Sequence, residues 1–351
     1  MSFSFREPRL THVELLLFTK YLSVLLRSGL PIDDALDILL QQAKGPLQKI
    51  LTVLKSSVRT GNTLSDGLKE FPHTFSLVYL NLISAGETSG TLQGNLDQIT
   101  IQLQKEHDLN QKIRGAMMYP MIILTIGISI TVGIVVFVLP NIIGIFDSLH
   151  VELPLSTRIV LWISRTVEAH GWLILVLVIA ASVGGTYLTR LRPVKPFTHW
   201  IILHAPILGR IARQTNLARV MRLMGTLLQS GLSISEVLQI SSGILKNVHY
   251  KELFAKIQAG VGRGKTITEL MEAYPFLIPP LALRLIRVGE ETGTLGEMFI
   301  YLADFYEQEV DDLTRNLSSL LEPILIIFIG LMVGGLALSI LSPIYKVVSS
   351  V

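Results

Sequence analysis

At 351 residues, half of them hydrophobic and only 16% charged, the chain is too apolar for an ordinary soluble protein. Its formal charge of +3 gives no strong pull on a polyanion, so nucleic acid is not expected as a partner. Cysteine is absent, which excludes a disulfide framework, a thiolate metal site and a cysteine nucleophile.

Residues 1–10 read as an N-terminal tail. Met1 to Pro8 holds no apolar run, so no cleavable signal peptide is expected. Thr11 with Glu14 forms a capping box that opens a helix running to Ser28, with Leu15, Phe18, Leu22 and Leu25 on one face. Gly29 ends it. Pro31 begins a second helix, Asp33 to Ala43, whose two aspartates suit its positive end. Gly45-Pro46 separates it from a third helix ending at Arg59. Thr63 and Asp66 start a short fourth helix, and a fifth is expected from Phe75 to Ala85. The turn Gly86-Glu87-Thr88-Ser89-Gly90-Thr91-Leu92 follows. Its first glycine is read as the helix-closing residue, its second as a turn, and Thr91 as the N-cap of a sixth helix. That helix carries Leu92, Leu96, Ile99 and Leu103 and continues into an apolar run.

The same plan then recurs. Gly289-Glu290-Glu291-Thr292-Gly293-Thr294-Leu295 repeats the turn 203 residues on, here with a capping box expected between Thr294 and Glu297. Phe71-Pro72 matches Tyr274-Pro275, Glu106 matches Glu309, and Pro120 and Pro140 match Pro323 and Pro343. The second copy is expected to start helices at Leu217, Ser235, Tyr250, Thr268, Pro280 and Leu295. No stretch alternates with period two, so the fold class is all-α.

Three uncharged runs are long enough to span a bilayer: Met121–Leu139, Trp172–Leu188 and Ile324–Leu341, the first and third bounded by prolines. The resulting layout is a helical domain at 11–116, a span at 117–140, a loop at 141–171, a span at 172–190, a basic connector at 191–214, a second helical domain at 215–319, a span at 320–343 and a tail at 344–351. Within the loop, Glu152 to Glu168 is expected to be a short surface helix. Lys105, Lys112 and Arg114 precede the first span, and Arg190, Arg192 and Lys195 follow the second. The loop between holds only Arg158 and Arg165 against three acids. Both helical domains and the N-terminus therefore belong in the cytoplasm, with loop and tail outside. Ser129 with Gly133, and Gly330 with Gly334, give the small-residue spacing that lets membrane helices pack closely, here in self-association.

One stretch, Ala259 to Thr266, fits a relaxed phosphate-binding loop with Lys265 in the lysine position, but a helical segment precedes it where a strand is needed. It reads as a turn. No metal-ligand or nucleophile motif appears, so neither catalysis nor a cofactor is expected. Glu87 and Glu290, and the pair Glu106 and Glu309, are acids retained in both copies. They are candidates for partner contact or cation binding, weighed against simple solvated acids near helix ends.

Six segments carry a family resemblance: Phe18–Leu39, Gly86–Leu92, Glu152–Arg158, Ala205–Arg210, Gly225–Leu232 and Gly289–Leu295. From Leu15 to Val348 the chain resembles the GspF/PilC family, inner-membrane platform proteins of type II secretion and type IV pilus machines. The resemblance implies two homologous cytoplasmic six-helix bundle domains, three transmembrane helices and no catalysis. It implies an adaptor that couples a cytoplasmic hexameric ATPase to pilin or pseudopilin subunits, beside other inner-membrane platform components. Gly86, Glu87, Gly90, Thr91, Gly289, Glu290, Gly293 and Thr294 are its signature positions and candidate partner contacts. Many family members carry some tens of residues before the first domain, whereas this chain starts almost at it. A small transporter or channel component is the alternative, disfavoured by spans without an ionisable residue.

Overall fold

The computed structural model describes residues 8–138 and 208–350, and part of residues 162–206. The described residues are helical, and no strand occurs among them. They fall into two compact units, one of Met1–Gln111 with Pro196–Asp311, the other of Lys112–Lys195 with Asp312–Val351. The expected surface helix at 152–168 and Pro140 lie outside the described residues, apart from isolated positions.

In the first unit, α1 (His12–Arg27), α2 (Ile32–Gln42), α3 (Gly45–Arg59), α4 (Leu64–Lys69), α5 (Leu77–Ser89) and the start of α6 (Leu92–Gly133) make the first copy. After α7 (Lys195–His204), the second copy follows as α8 (Leu208–Gln229), α9 (Ile234–Ile244), α10 (Val248–Val261), α11 (Ile267–Glu272), α12 (Pro280–Thr292) and α13 (Leu295–Arg315). From α4 and α11 to the starts of α6 and α13, the copies match residue for residue. Buried side chains pair up in the same register: Leu54 with Ile257, Leu68 with Met271, Leu96 with Phe299. Local chemistry explains the boundaries. Thr11 and Glu14 close their capping box on α1. The hydroxyl of Thr63 accepts from the amide of Asp66, and that of Thr266 from the amide of Glu269, at the N-termini of α4 and α11.

Two expectations change. α5 runs four residues past Ala85 and carries Gly86 inside it. α8 starts at Leu208, nine residues before Leu217, so the connector is largely helical. Within it, α7 sets Leu203 into the core and gives the Nδ1 of His199 to the amide of Val248 at 3.1 Å.

In the second unit, α6 runs to Gly133 and passes into one π-turn at Ile134–Val138, while α14 covers Leu317–Ser350. Among the described residues, Leu92–Phe137 is long and apolar enough to cross a membrane, and Leu321–Gly335 is a shorter apolar stretch. The run at 172–190 is described only in part. The prolines expected to bound the spans lie inside helices instead, Pro120 in α6 and Pro323 and Pro343 in α14. Each removes one N–H from the i to i−4 ladder, a loss that neighbouring turns absorb in apolar helices. α6 and α14 meet where Gly127 faces Ile329 and the Thr131 hydroxyl reaches the Met332 sulfur at 3.6 Å.

Candidate functional site

The two signature turns share one construction, and it differs from the sequence reading in which glycine does what. Gly90 and Gly293, not Gly86 and Gly289, close the helices, with φ of +72° and +73°. A side chain would be strained there. The carbonyl of Gly86 accepts from the amide of Thr91 at 2.9 Å. Gly86 and Gly289 sit inside α5 and α12 for a steric reason. A Cβ on Gly86 would lie 2.9 Å from the Leu92 Cα, and one on Gly289 would lie 2.8 Å from the Met298 Cγ. The first turn of the next helix rests directly on these glycines. Asn95, buried beneath, donates to the Leu82 carbonyl at 2.8 Å, and Met298 takes the same place in the second copy.

The threonines act differently too. The Thr91 hydroxyl pairs with Ser89 at 2.6 Å and that of Thr294 with Thr292 at 2.7 Å, each turned back on the preceding helix. The capping box expected between Thr294 and Glu297 is thus replaced by a hydroxyl pair across Gly293.

Glu87 and Glu290 are half-buried and hydrogen-bonded, not simple solvated acids. Glu87 spans back to α4, its Oε1 accepting from the amide of Leu64 at 2.5 Å and its Oε2 from that of Ser65 at 3.1 Å. Glu290 does the same to α11, accepting from the amides of Ile267 at 2.6 Å and Thr268 at 3.0 Å, and from the Thr268 hydroxyl at 2.7 Å. A carboxylate at a helix N-terminus satisfies orphan amides and meets the positive end of the dipole. It also settles the phosphate-loop question for Ala259–Thr266. The α11 amides that an anion would need are already taken by Glu290, and the Nζ of Lys265 pairs with Glu269 at 2.8 Å on the helix surface.

The repeat is not chemically uniform. Between α1 and α6, Asp97 accepts from the Ser23 hydroxyl and from Arg27 at 2.5 Å. At the matching place in the second copy, Gly225 lets α8 approach Ile300, whose Cδ1 would lie 2.8 Å from an added Cβ. A charged clasp in one copy is a close apolar contact in the other.

A charged cluster that sequence reading missed, its partners 82 to 202 residues apart, lies within the second copy and is reached from the first by Lys105. Lys105 of α6 reaches Asp304 at 3.2 Å and Glu307 at 2.9 Å on α13. Arg222 of α8, almost fully buried, pairs with the same two acids. Burial alone would raise the Asp304 carboxyl, but Arg222 and then Lys105 outweigh it and hold it below the usual carboxylate range. Burial likewise opposes the Lys105 ammonium, and Glu307 with Asp304 more than offsets this, raising it. A cavity of about 280 Å³ lies beside this cluster, with Tyr79, Leu82 and Leu103 in its apolar floor. Of the acids retained in both copies, Glu309 accepts from Gln214 at 2.9 Å, and Glu106 lines the cavity. Among the described residues no group of three or more histidines and acids is placed to hold a metal.

The candidate packing residues of the apolar helices lie open. A Cβ on Gly133, Gly330 or Gly334 meets nothing within 4 Å, and Ser129 is exposed. The contact between α6 and α14 uses Gly127 instead.

Comparison with known proteins fits both copies of this construction. The family model described as type II secretion system (T2SS), protein F matches residues 18–140 and again 220–343. The chain is 32% identical over 338 residues to a type IV pilus assembly protein PilC of Thermus thermophilus, covering 96% of this chain and 83% of that one. It is 30% identical over 338 residues to PilC of Pseudomonas aeruginosa, covering 95% and 90%. It is also 30% identical to type II secretion system protein F of the same organism over 332 residues, covering 94% and 82%. The match in each repeat takes in its turn, its glycine contact and its capping glutamate, and the chain belongs to the type II secretion system protein F family.

Proposed function

We propose that the protein is an inner-membrane assembly platform that couples a cytoplasmic hexameric ATPase to the assembly of pilin or pseudopilin subunits. The observation that carries this reading is similarity over nearly the whole chain to proteins named for pilus assembly and type II secretion. The three runs at 117–140, 172–190 and 320–343 serve as spans, and both helical copies face the cytoplasm. The geometry supports transmission without chemistry. Each signature turn is locked by a glycine contact and a capping carboxylate, and α6 leads from such a turn through one 42-residue helix into apolar sequence. A displacement at the turn would pass along that helix with little loss. The exposed faces of the turns around Thr88 and Glu291 are the surfaces offered to the ATPase. The open glycines Gly133, Gly330 and Gly334, with Ser129, suit packing against pilin helices or a second copy.

The test is a deletion strain together with co-purification. Loss of piliation or of secretion, and recovery of the ATPase with the tagged protein, are expected. A deletion strain with both pili and secretion intact would overturn the proposal.

A further inference from the structure

α7 has two faces. One is docked: Leu203 is buried, His199 accepts from the amide of Val248, and the Pro196 carbonyl is paired with the His249 ring at 3.2 Å. The other holds Phe197, Trp200, Ile201 and His204, spaced by three and four residues and therefore in one stripe. It is open, with Phe197 65%, Trp200 49% and Ile201 45% exposed. The stripe continues as a stack onto the second copy. Trp200 and His204 ring centroids are 4.3 Å apart, His204 and Phe276 4.5 Å, and the Arg213 guanidinium lies 4.6 Å from the Phe276 centroid. An apolar stripe kept out of the core against its hydrophobic cost marks a docking face.

Three observations select its occupant. The counterpart of Phe276 in the first copy is His73, so the apolar end of the stack belongs to the copy that follows the apolar run Trp172–Leu188. Only residues 189–194 separate that run from α7, a tether of at most about 25 Å. The flanking sequence is basic, with Arg190 and Arg192 before the helix, Lys195 at its first position and the exposed Arg210 after it. An apolar stripe with an aromatic ring at its centre and cations around it is the composition of a helix lying in a membrane interface.

We propose that the Phe197–Trp200–Ile201–His204 face of α7, with Phe276 beside it, docks into the headgroup region of an anionic bilayer leaflet and holds the second copy against the membrane surface. This rests on the reading of Trp172–Leu188 as a span. The full-length protein carrying Trp162→Phe and Trp172→Phe, which leaves Trp200 as its one tryptophan, is reconstituted into phosphatidylcholine–phosphatidylglycerol vesicles. Phospholipids brominated near the glycerol end of the acyl chain are then added as quenchers. A stripe seated some 5–10 Å into the interface loses about half its Trp200 emission, and Ile201→Glu restores it. A parallel protein retaining only Trp172 reports on the span. If Trp172 is quenched while Trp200 stays bright and open to acrylamide, α7 does not dock and the platform reading stands. If Trp200 is shielded from acrylamide yet not quenched by bromolipid, a second copy covers the stripe and the proposal fails. If neither tryptophan is quenched, the span itself is wrong and the proposal falls with it.

Discussion

Replacing Glu290 with alanine removes three acceptor contacts at the start of α11, two of them from backbone amides that have no helical partner. A hydrogen bond to a charged group contributes about 1.5–3 kcal/mol. The site is half-buried and water replaces part of what is lost, while Thr266 still caps the helix, so the net cost is about 2–3 kcal/mol, below the sum of three. Glu87→Ala removes two contacts and no hydroxyl, since Ser65 gives its oxygen to Thr63 at 2.9 Å. Its cost is about 1.5–2 kcal/mol. The readout is hydrogen exchange of the peptides covering α11 and α4 in purified protein, which reports local opening directly. At tenfold per 1.4 kcal/mol, exchange over Ile267–Glu272 accelerates about 30- to 150-fold in Glu290→Ala, and over Leu64–Lys69 about 10- to 30-fold in Glu87→Ala. Glutamine does not rescue either site, because its amide presents an N–H to a backbone N–H. Acceleration below about threefold in both variants would refute the capping role and leave the glutamates free for another task.

Other perturbations follow from the same geometry. Gly86→Ala pushes a Cβ into the Leu92 backbone, whereas Gly289→Ala meets mainly a flexible Met298, so thermal melting should show a loss of about 2–3 kcal/mol for the first and about 1–2 for the second. Arg222→Met leaves Asp304 and Glu307 without their buried partner and costs about 2–3 kcal/mol, while Lys105→Met, at a more exposed position, costs at most about 1 kcal/mol. Asp304 is held low and Lys105 high, so the link between copies is intact at neutral pH. It weakens as pH falls through the carboxylate range near about 4, where Asp304 binds protons more readily unfolded than folded. It weakens again as pH rises past the ordinary lysine value of about 10, and crosslinking between residues of the two copies should follow this bell. Lys265→Ala changes stability by less than about 0.5 kcal/mol in melting, since it removes one exposed i,i+4 pair.

What was legible in the sequence was local or periodic. Thr11 with Glu14, and Thr63 with Asp66, announce their helices because donor and acceptor are three residues apart. The duplication announces the second copy. The signature turn was found but misread at Gly86, because a glycine needed for close approach and one needed for positive φ look alike until the next helix is in place. Glu87 and Glu290 were singled out by their repetition, yet their partners lie 22 and 23 residues upstream on a helix whose position only the fold determines. The Lys105–Glu307–Arg222 cluster gave no signal, since repeat register places Gln104 and Gln308 opposite Glu307 and Lys105. Likewise α7 reads as a basic, proline-punctuated connector. Its amphipathic character emerges when Leu203 and His199 are seen to face inward.

The central claim, that both copies face the cytoplasm, is tested most directly by single-cysteine labelling in a chain that has no cysteine of its own. Thr88→Cys and Glu291→Cys occupy equivalent exposed positions in the two signature turns. A membrane-impermeant maleimide should label both in inverted inner-membrane vesicles and neither in intact spheroplasts. Labelling of either position in intact spheroplasts would contradict the account.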